Sequence, residues 1–172
     1  LKSDIIQQTD NSYLVTNIDG HKSNPTERDD KINTYRRVII AASVGLFIYS
    51  LTRQCYCTAN QCGDAIMVFL LGWLGVFFGG AALTWLANPL IILSWIMTKR
   101  NSKHALTVSA LASLICLSFL LFDKVIDNEA GHYNEIISYQ SGYWLWACSA
   151  LTMAFGNLYF KFAKSTTDKN AS

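Results

Sequence analysis

The chain changes from polar to apolar at Val38. Residues 1–37 hold no long hydrophobic run, whereas apolar segments separated by short polar stretches fill residues 38–162. The hydrophobic residues of these segments cover all sides of a helix instead of one stripe, which is typical of helices in lipid. The pattern predicts an all-α membrane protein. Residues 38–162 would form its transmembrane domain, and residues 1–37 and 163–172 would be polar cytoplasmic tails, the first of them largely flexible.

Three membrane spans follow from segment length, because a helix needs about 20 residues to cross the hydrocarbon core. They are residues 38–52, 105–122 and 142–160. The first is short, and arginines at its two ends can extend to the headgroups. Residues 65–98 are too long for one comfortable span and too short for two spans with a turn. Their arrangement has to be inferred from the charges around them.

Clusters of basic residues fall on alternate connections, whereas the other two connections hold only the single cations Arg53 and Lys124. The clusters precede the first span, join the second to the third and follow the fourth, and their members are Lys31, Arg36, Arg37, Lys99, Arg100, Lys103, Lys161, Lys164 and Lys169. Since such clusters stay in the cytoplasm, we expect four crossings with both termini cytoplasmic.

Residues 65–98 must then contain an odd number of crossings. We predict one tilted span, residues 81–98, after a shorter apolar helix over Ala65–Phe78 that lies in the outer interface or is re-entrant. Gly79 and Gly80 would join the two pieces. A single long tilted helix is the alternative. The predicted fold is a four-helix transmembrane bundle with an extra short interfacial or re-entrant helix.

Two patterns concern packing within this stretch. Gly72, Gly75 and Gly79 recur at spacings of three and four residues, so they line one helix face and would let a second helix approach closely. Asn88 and Pro89 interrupt the second span, because proline lacks an N–H and frees a carbonyl one turn earlier. They indicate a kink, or a polar spot that faces a cavity.

The fourth span opens with aromatic residues. Trp144 and Trp146 are expected to anchor it at the outer membrane surface, where amphipathic rings accumulate.

No predicted span carries an Asp, Glu, Lys, Arg or His near its middle. Pumps, proton-coupled transporters and voltage sensors place ionisable groups at that depth, and no Walker-type glycine loop occurs. Glu129 with His132 is a weak metal-ligand pattern that fits a solvated loop better. We therefore predict no catalytic residue, metal or cofactor. Because the basic residues are few and scattered, we also expect no nucleic-acid partner.

Three of the five cysteines, Cys55, Cys57 and Cys62, crowd the first outer loop. On the predicted topology this loop faces an oxidising compartment, where disulfides persist. We expect one bridge within the loop, Cys57–Cys62 or Cys55–Cys62. The remaining thiol would stay free or pair with another chain.

In size and topology the chain resembles the membrane thiol oxidases that pass electrons from periplasmic dithiols to quinone. That family has a Cys-x-x-Cys pair in the first outer loop and a second cysteine pair in the other outer loop. Here the first loop has Cys55-Tyr-Cys57, and residues 123–141 contain no cysteine. The relay implied by the resemblance would therefore lack its substrate-facing half.

A second resemblance spans residues 38–160. The runs Gly72-Trp-Leu-Gly75, Trp85-Leu-Ala-Asn-Pro-Leu90 and Gly142-Tyr-Trp-Leu-Trp146 resemble small bacterial inner-membrane proteins of no assigned function. The resemblance implies a multi-pass protein of the bacterial inner membrane and supplies no activity.

Three function classes remain open. The first is a non-enzymatic accessory, sensory or immunity-type module that acts through contacts with a second copy or with a membrane or periplasmic protein. The second is a small oligomeric channel or transporter, and the third is a membrane thiol-disulfide oxidoreductase that uses the outer-loop cysteines. The first is preferred because no catalytic constellation occurs.

Overall fold

The computed structural model describes residues 25–126 and 133–169. The chain divides into a unit of Leu1–Asn33 and a unit of Thr34–Ser172. Within the first unit, residues 25–33 are described and are helical. All of the packing described below belongs to the second unit. Residues 1–24 of the predicted flexible tail and the pair Glu129 and His132 lie outside the described residues.

Helices make up most of the described chain. They are α1 (Pro25–Leu51), α2 (Ala65–Gly75), α3 (Ala87–Lys99), α4 (Ala105–Ser118) and α5 (Ser141–Lys169). Three 3₁₀ segments, Val76–Phe78, Gly80–Leu86 and Phe119–Leu121, extend α2, lead into α3 and extend α4. Helix α1 begins at Pro25, where the missing N–H of proline needs no helical acceptor. Residues 25–37 belong to α1 and residues 163–169 belong to α5. That the two ends of the chain are cytoplasmic tails stays a prediction.

The stretch between the first and third predicted spans breaks at two glycines. Gly79 and Gly80 have φ of 75° and 62°, values that side chains with a Cβ rarely adopt. The apolar helix over Ala65–Phe78 and the break after it were predicted. The alternative, a single long tilted helix, is wrong.

The fold is mostly helical, as expected, but it is not exclusively so, because the two predicted outer loops contain four strands. They are β1 (Gln54–Thr58), β2 (Cys62–Asp64), β3 (Lys124–Ile126) and β4 (Tyr133–Tyr139). Each loop folds into an antiparallel hairpin, and β1 pairs with β4 to give one sheet in the order β2-β1-β4-β3. An isolated hairpin is marginally stable, so the pairing of the two hairpins explains why both form.

Two described helices are long and apolar enough to cross a membrane, Asp30–Leu51 and Gly80–Lys99. The shorter apolar helices are Ala65–Phe78 and Ala105–Leu121. Helix α5, which contains the predicted fourth span, is long enough but holds several Ser, Thr, Gly and Asn residues that lower its hydropathy.

The interior of the bundle is built from small and polar side chains. The buried polar residues are Ser43, Ser50, Thr58, Thr84, Asn88, Ser94, Thr98, Ser109, Ser113, Ser149 and Asn157, and six of the buried apolar residues are alanines. Large apolar side chains point outward instead, on every helix of the described chain, and Phe77 is 82% exposed. This distribution is the reverse of that in a water-soluble protein.

Candidate functional site

The four strands sit on one end of the bundle, which we call the sheet end. There an aromatic cluster joins sheet and helices: Phe119 lies 5.5 Å from Tyr143 and 5.8 Å from Tyr139, measured between ring centroids. Ala81, Val125 and Ile136 pack into the same cluster. The sheet is thereby attached to the bundle by one of its faces.

The connection between α3 and α4 marks the opposite end. Asn101 adopts a φ of 53°, and the amides of Ser102 and Asn101 donate to the carbonyls of Met97 and Thr98, which closes α3 with a Schellman turn. Arg36 of α1 donates a hydrogen bond of 3.0 Å to the Asn101 side chain. Its guanidinium also lies 5.6 Å from the centre of the Phe160 ring on α5. Arg36 therefore lies beside the connection that carries Lys99, Arg100 and Lys103, and we call this the basic end.

A disulfide closes the first hairpin. Cys57 of β1 is directly opposite Cys62 of β2 and is bonded to it, so the prediction of a bridge in this loop is confirmed, and it is the Cys57–Cys62 alternative. Cys55 is free and half-buried, and its thiol donates to the Gly63 carbonyl at 3.1 Å. Burial raises the pKa of Cys55 to about 11. A thiol that stays protonated is a poor nucleophile, which argues against a redox relay here.

The outer face of the sheet carries no recognisable chemistry among its described residues. Along β4, Ile136 turns toward the bundle, whereas Glu135 and Ile137 point away from it, and Ile137 is 67% exposed. Lys124 of β3 lies 3.8 Å from Glu135 across the strand pair. The face thus presents an apolar side chain beside a paired set of charges.

Two of the three predicted packing glycines lie at a close helix contact. A Cβ on Gly72 would stand 2.5 Å from the Trp85 ring, and one on Gly75 would stand 2.9 Å from the Ala82 Cβ. Trp85 also donates to the Phe69 carbonyl at 2.9 Å, which ties α2 to the 3₁₀ segment Gly80–Leu86. Gly79 has no neighbour within 4 Å of such a Cβ. The positive φ of Gly79 explains why a glycine occupies this position.

Asn88 and Pro89 occupy the first turn of α3, where the 3₁₀ segment Gly80–Leu86 continues into the α-helix. Proline has no N–H, so it donates no hydrogen bond to a carbonyl of the preceding turn. Asn88 is buried, and its Oδ1 accepts a hydrogen bond of 2.9 Å from the Trp146 indole. The amide therefore contacts a neighbouring helix. Trp146 is correspondingly directed inward, and Trp144, at 49% exposed, is the better placed of the two predicted anchors.

Two interhelical hydrogen-bond clusters were missed by the sequence analysis. In one, the hydroxyls of Ser43 and Ser149 lie 3.0 Å apart, each also donates to the other's carbonyl at 2.9 Å, and the Trp95 indole donates to Ser43. In the other, Asn157 joins Thr98 to Ser109. The alternation of small residues along α4, from Ser109 to Cys116, was a usable signal for such an interior face.

The described residues contain no group of three or more His, Cys, Asp or Glu side chains that could hold a metal ion. Comparison of the chain with family models, with curated protein sequences and with solved structures found no match. The assignment of a function therefore rests on this chain's own geometry.

Proposed function

We propose that the chain is a four-span membrane protein of the bacterial inner membrane, with α1, α3, α4 and α5 as its spans, and that it acts through contacts made by its sheet end outside the membrane. The reversed distribution of side chains carries the first part. A contiguous apolar surface of this extent is not tolerated in water, whereas lipid favours it, and small or hydroxyl side chains are the usual contacts between helices in a bilayer.

Hydrogen bonding supports the same placement. Among the described residues, every buried side-chain N and O atom has a partner. An unpaired polar group in hydrocarbon costs several kcal/mol, so a polar interior is compatible with lipid only when it is satisfied in this way.

The two ends support an orientation. The basic end contains Arg36 and the connection with Lys99, Arg100 and Lys103, and clustered lysines and arginines mark a cytoplasmic face. The disulfide is at the other end, and disulfides persist outside the cytoplasm. The bacterial inner membrane is the placement that the resemblance of residues 38–160 to small bacterial membrane proteins implies.

Helix α2 fits an in-plane position in the outer leaflet. The amide of Ala65, at its start, donates to the Arg53 carbonyl. Beyond its other end, Gly80 lies beside Asp123 and Lys124. Both ends are thus at the level of charged residues of the sheet end. In the segment that follows α2, the residue that contacts α2 at the greatest depth is Trp85. It is five residues past Gly80, a distance of about 10 Å along a 3₁₀ helix. This distance is less than half of the hydrocarbon core, which is roughly 30 Å thick.

This position is tested by nitroxide labels on single cysteines introduced at Leu70, Leu74 and Phe77, with the exposed Leu86 and Leu93 as controls. Accessibility to oxygen and to a nickel chelate measures depth in lipid vesicles. The three α2 positions should have similar depths, and the two controls should differ from each other. A steady increase of depth from 70 to 77 would instead mean that α2 is re-entrant.

The proposed contact role is supported by the structure of the sheet end. It is a disulfide-closed platform attached to the bundle by an aromatic cluster, with an exposed apolar side chain on its outer face and a free thiol of raised pKa held inside. These features suit recognition rather than catalysis. Mid-bundle positions such as Ala87, Ile91 and Ala150 are fully buried, so the interior is packed, and a pore would have to form between several copies.

The proposal is tested in intact cells with a photoreactive amino acid at Ile137, on the outer face, and at Ile136, on the attached face, as the matched control. We expect a discrete adduct from position 137 and none from 136; an adduct of twice the chain mass would identify a second copy as the partner. Equal adducts at both positions, or none at 137, would contradict the contact role.

Topology is measured separately. A membrane-impermeant maleimide should label Ile137→Cys in intact cells and Ser102→Cys only after permeabilisation. Labelling of Ser102→Cys from outside would reverse the proposed orientation.

A further inference from the structure

An open groove of about 430 Å³ runs between α1 and α5 at the sheet end. One wall is formed by Tyr49, in the last turn of α1, and by Arg53, just after that helix. The other wall is a stripe of α5 at helical spacing, and its members are Ser141, Trp144, Leu145 and Cys148. None of these lining residues is acidic. The groove therefore combines a single cation at its top with apolar walls below.

The side chain of Arg53 is held in one orientation by Tyr49. Its guanidinium lies 5.0 Å from the centre of the Tyr49 ring, and it donates a hydrogen bond to the Tyr49 hydroxyl. No carboxylate pairs with it in the described part of the chain, so its remaining N–H groups are available to a ligand. An arginine held against an aromatic ring with open donors is suited to bind a phosphate, which guanidinium recognises in a bidentate manner.

The groove lies at the right level for a lipid headgroup. Ser141 is the first residue of α5, and Arg53 immediately precedes β1, so the cation and the hydroxyl mark the boundary between the helices and the sheet. From Ser141 to Cys148 the stripe descends by seven residues, about 10 Å along the helix axis. Trp144, with an apolar ring and a polar N–H, is a side chain typical of the headgroup region.

We propose that this groove is a phospholipid-binding site, in which Arg53 and Ser141 hold the phosphate of an outer-leaflet lipid and an acyl chain lies along Trp144, Leu145 and Cys148. The assignment of the lipid to the outer leaflet rests on the proposed function. The site itself depends only on the cation, the hydroxyl and the apolar stripe being together.

The full chain, purified in detergent and depleted of lipid, is titrated with dioleoyl phosphatidylglycerol, and bound lipid is counted by native mass spectrometry. The chain should bind one lipid preferentially, and Arg53→Gln should weaken that binding at least tenfold. Lys124→Gln is the matched control, because it removes the other described cation of the sheet end, which pairs with Glu135. Equal losses in the two variants, or no loss in Arg53→Gln, would overturn the proposal.

Binding experiments with three further ligands identify which part of the lipid the groove recognises. Dioleoylglycerol, which lacks the phosphate, should not bind at the site. Dioleoyl phosphatidylethanolamine should bind less than tenfold more weakly than phosphatidylglycerol if the phosphate is the main contact. Millimolar inorganic phosphate should leave the lipid bound, and its complete displacement would mean that the groove holds a free anion.

A second variant keeps the test independent of Arg53. Leu145→Trp fills the apolar part of the groove and should also reduce lipid binding, while formation of the Cys57–Cys62 bridge reports that the sheet end is folded. Lipid binding by the Leu145→Trp chain equal to that of the unmodified chain would overturn the acyl-chain part. These measurements in detergent do not depend on orientation. Reversed maleimide labelling would therefore refute the proposed orientation and leave the lipid site standing.

Discussion

Replacing Asn157 with alanine removes the side chain that joins three helices. Asn157 is 6% exposed on α5. Its Oδ1 accepts a hydrogen bond of 2.9 Å from Thr98 of α3, and its Nδ2 donates to the Ser109 hydroxyl at 3.1 Å and to the Ala105 carbonyl at 3.4 Å, both on α4. Hydrogen bonds between membrane helices contribute about 0.6 kcal/mol each on average and at most about 1.7. The three together predict a loss of about 2 kcal/mol in the free energy of unfolding.

Thr152→Val is the matched control. Thr152 lies on the same helix, and its hydroxyl donates only to the Cys148 carbonyl one turn earlier, at 2.8 Å. Its loss breaks no interhelical contact, so we expect a change below about 0.5 kcal/mol, as for side chains away from packed or buried features. Both variants are measured in mixed micelles by titration with SDS, followed by tryptophan fluorescence. If Asn157→Ala unfolds at the same SDS fraction as Thr152→Val, the polar cluster does not hold the helices together.

Three further predictions concern the sheet end and its supports. Gly142→Ala should destabilise the chain by about 1–3 kcal/mol, because the new Cβ would stand 2.6 Å from the Gln54 carbonyl oxygen. Gly45→Ala is the control and should be neutral or stabilising, because a Cβ there has nothing within 4 Å. Equal shifts of the two variants in SDS titration would contradict this prediction. Cys57→Ser removes the disulfide between two residues that are five apart in sequence. The loop-entropy relation predicts a loss of about 2 kcal/mol in the free energy of unfolding. Amide hydrogen exchange should therefore become faster in β1 and β2 than in the unmodified chain, with a smaller change in α4. Cys55, whose pKa is raised to about 11 by burial, should alkylate at pH 8 about a hundredfold more slowly than an unperturbed thiol, because only the thiolate reacts. Its rate should rise about tenfold per pH unit up to about pH 11 in peptide-resolved mass spectrometry, and a plateau near pH 9 would refute the burial argument.

The positions of the helices were largely predictable, because each depends on a local run of residues. The break at Gly79 and Gly80 follows from conformational freedom that glycine alone provides, and the start of α4 at Ala105 follows from the end of a basic loop. The sheet was not predicted. Tyr56 pairs with Tyr139, more than 80 positions later, and no pattern within either loop indicates the other as its partner.

The sequence also did not indicate which face of each helix points into the bundle. A segment that is apolar all round gives no periodic signal to separate lipid-facing from interior residues. The structure resolves them by size: Ser149 and Ala150 are buried on α5, whereas Phe155 is exposed. For the same reason the groove beside Arg53 was missed, since Arg53 was interpreted only as a charge at the end of a span, and its neighbours on α5 are more than 80 positions away in sequence.

The pairing of β1 with β4 also imposes an order on biogenesis. The first hairpin and its disulfide can form once β2 has been made, but the second edge of β1 has no partner until β4 has been made. At typical synthesis rates of 5–20 residues per second, the roughly 80 residues from the end of β1 to the end of β4 take about 4–16 s. A chain in which β4 has not yet been made therefore carries an unpaired strand edge on β1, a feature that invites aggregation. A molecule that stops before β4 therefore lacks both the completed sheet and its outer face.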